Sequence, residues 1–412
     1  MVKTPPGRLF WIAREEEIKS CKTTDVYFEY TDAVLREAEV NPKVVMEIYP
    51  RKLPYEGNWG VLTGVYDVAK LLEGLPIDVY SMEEGEIFFV SEHGSVAHEP
   101  VMQIIGRYRD FLRFENPILG FLCHSTGIST KAARVKLIAG EKKVFEFGTR
   151  RVHPVLAPLI ERSAYIGGMD SVSNVLGAQL MGQKPVGTMP HALILCFGRQ
   201  EDAWEAFDRA LPKEIPRIAL IDTFSDEKDE ALRALRLLGK RLHGVRIDTP
   251  GSRRGDFKAI IEEVRWELDV HGGKHVKIYV SGGLDENSVA ELVDVVDGFG
   301  VGTSISNAPV IDFSAKIVEV YEDGKQKPIA KKGDVSGRKA VYRDWRNLVD
   351  YVTLYGVKMR RRSLQQLLTP LIRDGKIVRE FKDVEEIRET VLSKLRRIRS
   401  GGAPRIIMKP SW

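Results

Sequence analysis

The sequence predicts an α/β chain: a parallel barrel in the middle, flanked by an α/β domain built from both chain ends. Three observations predict it. Between about residues 144 and 303, short apolar runs alternate with helical segments, with starts roughly 20 to 31 residues apart, the length of a βα unit. Before that stretch strands and helices mix without the rhythm, and after about residue 308 it stops. The chain has 412 residues, 43% apolar, which is too long for one ordinary domain and apolar enough for a sizeable core.

The elements follow in order. In residues 1–115, Val44–Tyr49 and Glu86–Val90 read as strands, and Gly60–Leu72 carries apolar residues at helical spacing. Residues 116–307 open with a long helix, Ile118–Ala139. Seven apolar runs then start near Val144, Ala164, Pro185, Arg217, Val245, Val276 and Phe299. Predicted helices between them include His153–Ser163, Ser171–Met181, Glu201–Leu211, Glu227–Leu238, Asp256–Val270 and Glu286–Val296. So many units in series favour a barrel over an open sheet, although they stop short of eight. In residues 308–412, Ala315–Tyr321 and Gln326–Ala330 flank an Asp-Gly turn and read as a hairpin. Leu364–Arg373 and Val384–Arg399 read as helices. This last stretch is expected to fold back on the first 115 residues.

Charge excludes one class of function. The 62 basic and 58 acidic residues leave a net +4, too little for a general nucleic-acid cloak. The excess lies in Lys358–Trp412, which holds 15 basic and 6 acidic residues. Its Lys394–Arg399 segment reads as a solvated helix face, and the tail is expected near Glu15–Glu17 or at a subunit edge. Three scattered cysteines, with no CxxC, indicate neither a zinc knuckle nor a disulfide framework and favour a reducing compartment. Cys123 and Cys196 read as core. No apolar signal or membrane-length run occurs, so a cytoplasmic protein with no membrane partner is expected. Scarce Asn and Gln, seven of each, beside abundant Lys, Arg and Glu resemble thermophile composition.

Parallel barrels carry their chemistry at the C-terminal ends of strands. Those ends supply Arg150 and Arg151, Asp170, Thr188 and His191, Asp222 and Thr223, Arg246 and Asp248, Ser281-Gly282-Gly283, and Gly302-Thr303. Glycine lets backbone N–H groups approach an anion, and a following helix at Glu286 adds its positive end, so the last two clusters read as a phosphate site. Arg150 and Arg151 suit bidentate binding of a carboxylate or phosphate. Asp222 and Asp248 suit orienting a ribose, holding a metal or stabilising positive charge; capping and pairing with Arg246 are the plain alternatives. His271 and His275 sit at i,i+4 in a loop and are not expected to bind metal. Chemistry alone therefore points to a barrel enzyme for a phosphorylated, anionic small molecule.

FGTRR (Phe147–Arg151), GGMDSVSN (Gly167–Asn174), GTMPH (Gly187–His191), IDTF (Ile221–Phe224), VRID (Val245–Asp248), SGGL and GVGTS stand in the order seen in nicotinate phosphoribosyltransferases. TDVYF (Thr24–Phe28) and GRKAVYR (Gly337–Arg343) extend the resemblance over nearly the whole chain, whose length is similar to that of the shorter, archaeal-type members. The resemblance implies an irregular α/β barrel like that of quinolinate phosphoribosyltransferase, a type II phosphoribosyltransferase, beside an α/β sandwich domain. It carries no cysteine-rich zinc module here, because the cysteines are lacking.

It also implies a reaction. Nicotinate and 5-phosphoribosyl 1-pyrophosphate give nicotinate mononucleotide and pyrophosphate, the entry to NAD salvage, assisted by ATP and Mg²⁺. By motif match Phe147 stacks on the pyridine ring and Tyr27 stacks from the other side, supplied by a second subunit, so a homodimer or larger homo-oligomer is implied. Arg150 or Arg246 faces the carboxylate, with Thr188, Thr223, Arg151 and Asp170 nearby. Ser281, Gly282, Gly283, Gly302 and Thr303 hold the 5-phosphate. His191 matches the histidine that becomes phosphorylated. Asp248, with Asp222 second, stabilises charge at C1. The nicotinamide-using relative has Asp where this chain has Ser173, which favours the acid substrate. The alternatives are a nicotinamide or quinolinate phosphoribosyltransferase, or a non-catalytic anion-binding protein gripping RNA by its tail.

Overall fold

The computed structural model describes residues 7–91, 98–357, 359 and 363–411. They form two units, Lys131–Ala308 and the remainder, with the boundary inside the helix Glu115–Ala139. No described helix is long and apolar enough to cross a membrane.

The first unit draws on both chain ends. Its seven-stranded sheet runs 325–328, 312–322, 43–52, 102–107, 78–81, 369–373, 376–377, so a C-terminal strand lies against the N-terminal strand 43–52. Strand 43–52 is paired on both sides, and its Val44–Tyr49 run is buried throughout, as a central strand requires. The Asp-Gly hairpin forms as expected: Glu322 pairs with Lys325, and Asp323 and Gly324 both have positive φ (49° and 74°).

Leu364–Arg373 is not a helix. It makes strands 365–366 and 369–373. Leu364, Leu367, Leu368 and Leu371 have helical spacing, but Pro370 has no N–H to give a helix interior, and the sheet takes the segment instead, with Pro370 opposite Tyr80. Among the described residues no ion pair joins the basic tail to Glu15–Glu17, and Glu17 pairs with Arg8. In helix Val384–Ser400, Lys394 reaches the buried Glu86 at 2.8 Å, and Arg397 lies over Trp345. Cys196 is exposed rather than core.

The second unit holds six strands: β1 (Lys143–Glu146), β2 (Ser171–Val172), β3 (Arg217–Leu220), β4 (Leu242–Ile247), β5 (Lys277–Ser281) and β6 (Gly298–Val301). All pair in parallel, in the order β2-β1-β6-β5-β4-β3, as a curled half-barrel. Closure fails where two expected strands fall away. The Ala164 run is the end of helix Ala157–Ile166, and the Pro185 run is extended chain whose Val186 N–H reaches Val172 C=O. The helices after β3 and β4 start where expected because Asp226 and Asp256 cap them.

Candidate active site

Asp222 lies just beyond the C-terminal end of β3, the outermost strand of this sheet beside β4. Its side chain is 1% exposed, one oxygen is 2.9 Å from His191 Nε2, and the other accepts the Asp248 N–H at 2.7 Å. Thr249 adds a hydroxyl at 3.3 Å and also donates to Glu227. Burial raises the Asp222 carboxyl above its ordinary range, and His191 beside it pulls it part of the way back. Both of its oxygens are therefore engaged within the protein. Asp248 differs: it is half-buried, and its carboxylate stands against Gly282.

Gly282 must be glycine on two counts. Its φ is +90°, and a Cβ there would stand 2.5 Å from Asp248 Oδ1. Gly283 follows with φ +69°. Arg254 holds this turn from behind, donating to the carbonyls of Thr249 (2.6 Å), Ser281 (2.9 Å) and Gly282. The helix at Glu286 is not open to an anion, however. Asp285 caps it reciprocally with Ser288, so the phosphate reading rests on the glycine turns and on Gly302-Thr303, not on that helix end.

Phe147 leaves β1 over Gly300 of β6, where a Cβ would fall 2.4 Å from its ring. It stacks near-parallel with Phe145 at 6.2 Å. Arg246 is part-buried on β4, with one N–H given to Met189 C=O at 2.9 Å. Burial lowers its pKa, and Asp248 and Asp222 oppose that shift, so it stays a cation among carboxylates. Buried polar atoms without protein partners include Arg246 Nε, Thr188 Oγ1, Thr223 Oγ1 and Ser281 Oγ. Four such atoms on one edge of one sheet are a ready set for a polar ligand, since a buried donor left unpaired costs about 1–3 kcal/mol. Arg150 and Arg151 are exposed on the turn after β1, Ser173 follows β2, and Gly302 and Thr303 follow β6.

One expected residue does not join this group. Asp170 precedes β2 instead of ending a strand, so it sits at the opposite edge of the sheet. Its carboxylate takes Lys136 at 2.7 Å, Lys143 at 3.1 Å and the Val144 N–H. Misreading the Ala164 helix end as a strand placed it at the wrong edge. Tyr27 belongs to the other unit, in helix Val26–Glu37, where it is 52% exposed in line with exposed Tyr30 and Val34. Among the described residues no cluster of three or more His, Cys, Asp or Glu side chains forms a metal site, His271 and His275 included.

The sequence reading also missed residues. Arg254 carried no signal beyond its place in the loop after β4. Glu146 did: it is a carboxylate on the core face of an apolar strand, in register with Val144. It is wholly buried, as is Glu161. Burial and the adjacent Glu161 carboxylate push Glu146 up to about 9.

Residues 25–126 and 128–316 match the N-terminal and C-terminal domain families of quinolinate phosphoribosyl transferase. The chain is 30% identical over 392 residues to nicotinate phosphoribosyltransferase pncB2 of Mycobacterium tuberculosis, covering 87% of this chain and 82% of that one. A crystal structure named nicotinate-nucleotide pyrophosphorylase from Pyrococcus furiosus superposes with a TM-score of 0.90 at 51% identity, covering 95% of this chain and 98% of that one. Human nicotinic acid phosphoribosyltransferase shares the fold at a TM-score of 0.72 and 21% identity, over 94% of this chain and 97% of that one. The half-barrel, the strand-end constellation and the whole-length match agree, and the chain belongs to the nicotinate phosphoribosyltransferase family.

Proposed function

We propose that this protein joins nicotinate to 5-phosphoribosyl 1-pyrophosphate, giving nicotinate mononucleotide and pyrophosphate, in NAD salvage in the cytoplasm. The observation that carries the reading is the pairing of a free Asp248 carboxylate with the left-handed Gly282 turn, ringed by unpartnered hydroxyls and a buried arginine.

The pyridine nitrogen attacks C1 of the ribose as the bond from C1 to pyrophosphate oxygen breaks. Positive charge grows on C1 and the ring oxygen, and the pyrophosphate leaves with the bonding electrons. A carboxylate fixed beside that carbon stabilises the transition state more than the ground state. Asp248 takes this role, because the oxygens of Asp222 already hold His191 and the Asp248 backbone. Asp222 is then a positioning group. Arg246 meets the nicotinate carboxylate through its free Nε, Thr188 and Ser173 line that pocket, and Phe147 stacks on the ring. The exposed Arg150 and Arg151 bind the pyrophosphate. Ser281, Gly282, Gly283, Gly302 and Thr303 cradle the 5-phosphate, with Thr223 at the ribose.

Mg²⁺ commonly uses one or two carboxylates together with substrate phosphates, and the half-buried Asp248 carboxylate beside the Gly282 turn would supply one. It would neutralise charge on the leaving pyrophosphate. ATP would assist by transferring its γ-phosphoryl group to His191 as the bond to the β–γ bridging oxygen breaks and ADP leaves; Asp222 holds Nε2, which leaves Nδ1 as the acceptor. Tyr27 stacks on the pyridine of a second copy, which makes the active unit a dimer. Mixing Tyr27→Ala with Asp248→Asn protein should then restore about a quarter of the sites. No recovery after subunit exchange would rule out the shared site.

The deciding assay gives the protein phosphoribosyl pyrophosphate and Mg²⁺ with nicotinate, nicotinamide or quinolinate, with and without ATP. Pyrophosphate release is expected with nicotinate, faster with ATP. Release only with quinolinate, accompanied by CO₂, would favour the second reading, which the name of the 51%-identical structure and the matched domain families keep open.

A further inference from the structure

We propose that the buried Glu146–Glu161 pair is the positioning element that ties the Phe147–Arg151 turn to the Ser173–Asn174 turn and so sets the width of the pyridine pocket. The inference rests on the pocket assignment above and goes beyond it, because neither glutamate touches the substrate. Glu146 ends β1 and accepts the Gly148 N–H at 2.6 Å. Glu161, on helix Ala157–Ile166, accepts the Thr149 hydroxyl at 2.6 Å, the Asn174 N–H at 3.0 Å and the Ser173 N–H at 3.2 Å. Four donors from two turns thus converge on two side chains that water does not reach. Gly148 permits the approach, since a Cβ there would lie 2.5 Å from Glu146 Oε1. Glu230 works the same way on the turn after β3, taking the N–H groups of Thr223, Phe224 and Ser225.

Two buried carboxylates in contact cannot both be ionised without a large penalty. Burial pushes both up, and the neighbouring charge pushes Glu146 further. Three donors favour the charged form of Glu161, whereas Glu146 Oε2 is buried with no donor. The shared proton therefore belongs to Glu146. On the elements packed around the pair, the charged side chains are Arg150 and Arg151, both exposed, Arg162, and Lys143 at the far end of β1, exposed and paired with Asp170; β2, β6, the helix Val175–Leu180 and the turn Thr303–Ser306 carry none. Ionising Glu146 at alkaline pH would set two buried charges against each other and loosen both turns.

The test uses Glu146→Gln, Glu146→Ala and Glu161→Gln in the full chain. Glutamine keeps the acceptor for Gly148 and stays neutral. Glu146→Gln should therefore hold the nicotinate KM within about threefold and abolish its alkaline rise. Glu146→Ala and Glu161→Gln should raise the nicotinate KM about tenfold or more, while the KM for phosphoribosyl pyrophosphate moves less than about threefold. If a different pyridine acid proves to be the substrate, its KM is the one read. Hydrogen exchange provides a readout that needs no turnover: amides of 148, 173 and 174 should exchange faster in Glu146→Ala and Glu161→Gln than in the parent. Unchanged exchange in both variants overturns the proposal even in an inactive protein. So does a Glu146→Gln enzyme with the parent's alkaline rise, or a pyridine KM indifferent to all three changes.

Discussion

At the N-terminal edge of the parallel sheet, charged side chains close on one another. Lys143, Lys277 and Arg217 are the first residues of β1, β5 and β3, and they pair with Asp170, Asp297 and Asp208 at 3.1, 3.0 and 2.8 Å. Asp170 and Asp297 also accept the N–H of the second strand residue, Val144 and Ile278. At the C-terminal edge polar atoms are left open: Arg246 Nε, Ser281 Oγ, Thr188 Oγ1 and Thr223 Oγ1 have no partner in the protein. One edge spends its polar groups on holding strands in register. The other withholds them at a cost in stability, the usual signature of a ligand site.

The contrast is tested first where the effect should be largest. Asp248→Asn removes the charge and keeps the shape, so kcat should fall about a hundredfold with little change in Tm. Turnover within threefold of the parent would transfer the role to Asp222. Asp222→Asn should come next, at roughly tenfold, since it loosens His191 and the Asp248 backbone together. Its companion, His191→Ala, should keep a basal reaction and lose stimulation by ATP, read as the ratio of rates with and without the nucleotide. Full stimulation in that variant would remove the histidine from the ATP step.

How far the chain betrayed this division depends on the element. β3, β4 and β6 lead within one or two residues into Asp222, Asp248 and Gly302, β5 ends on Ser281, each with a turn signal after it, and periodicity found them. Helix Glu227–Leu238 matched its prediction because Asp226 caps it and its apolar stripe is clean. Asp170 was misplaced because Ala164-Tyr165-Ile166 followed by two glycines looks like a strand end. Only helix packing decides otherwise, and a short apolar run carries no period long enough to tell the two apart. Arg254 is illegible for another reason: its partners are backbone carbonyls, two of them far along the chain, and local patterns do not encode those, whereas Glu146 does carry a local signal as a carboxylate within an apolar strand. By residue type and place alone Asp222 and Asp248 look alike, and only the family resemblance ranks Asp248 first. The hydrogen bonds that engage one and spare the other arise only when β3 and β4 lie side by side.

The opposite edge should respond in stability and not in chemistry. Asp170→Asn leaves Lys136, 8% exposed, as a buried cation without its countercharge. A loss of about 3–5 kcal/mol is expected, on the order of 10 °C in Tm, with kcat/KM at 25 °C unchanged. The pH dependence has a definite sign. Burial alone would raise the Asp170 carboxyl, but Lys136, the Val144 N–H and Lys143 together outweigh it and hold the group below the ordinary carboxylate range. The parent's extra stability is therefore present at neutral pH and is lost as pH falls from the ordinary carboxylate range through the lowered value. The Asn variant should lack that acid limb. A variant of unchanged Tm, or one with impaired kcat/KM, would return Asp170 to the substrate side.

The smallest effect separates the two lysines on that one carboxylate. Lys143 is 62% exposed and Lys136 is 8% exposed, although their distances to Asp170 differ by only 0.4 Å. Water screens the first pair, and holding a long exposed side chain consumes part of its gain, so Lys143→Ala should cost under about 1 kcal/mol. Lys136→Ala takes the buried countercharge away from Asp170 and should cost several times more. The ratio of the two Tm shifts measures how much of the edge is held by burial and how much by contact alone. Equal shifts would mean that proximity, not desolvation, fixes Asp170, and the edge would then be a surface ion network that salt weakens throughout. A small shift for Lys143 that fades in 1 M salt, beside a large one for Lys136 that persists, is the outcome the buried geometry demands.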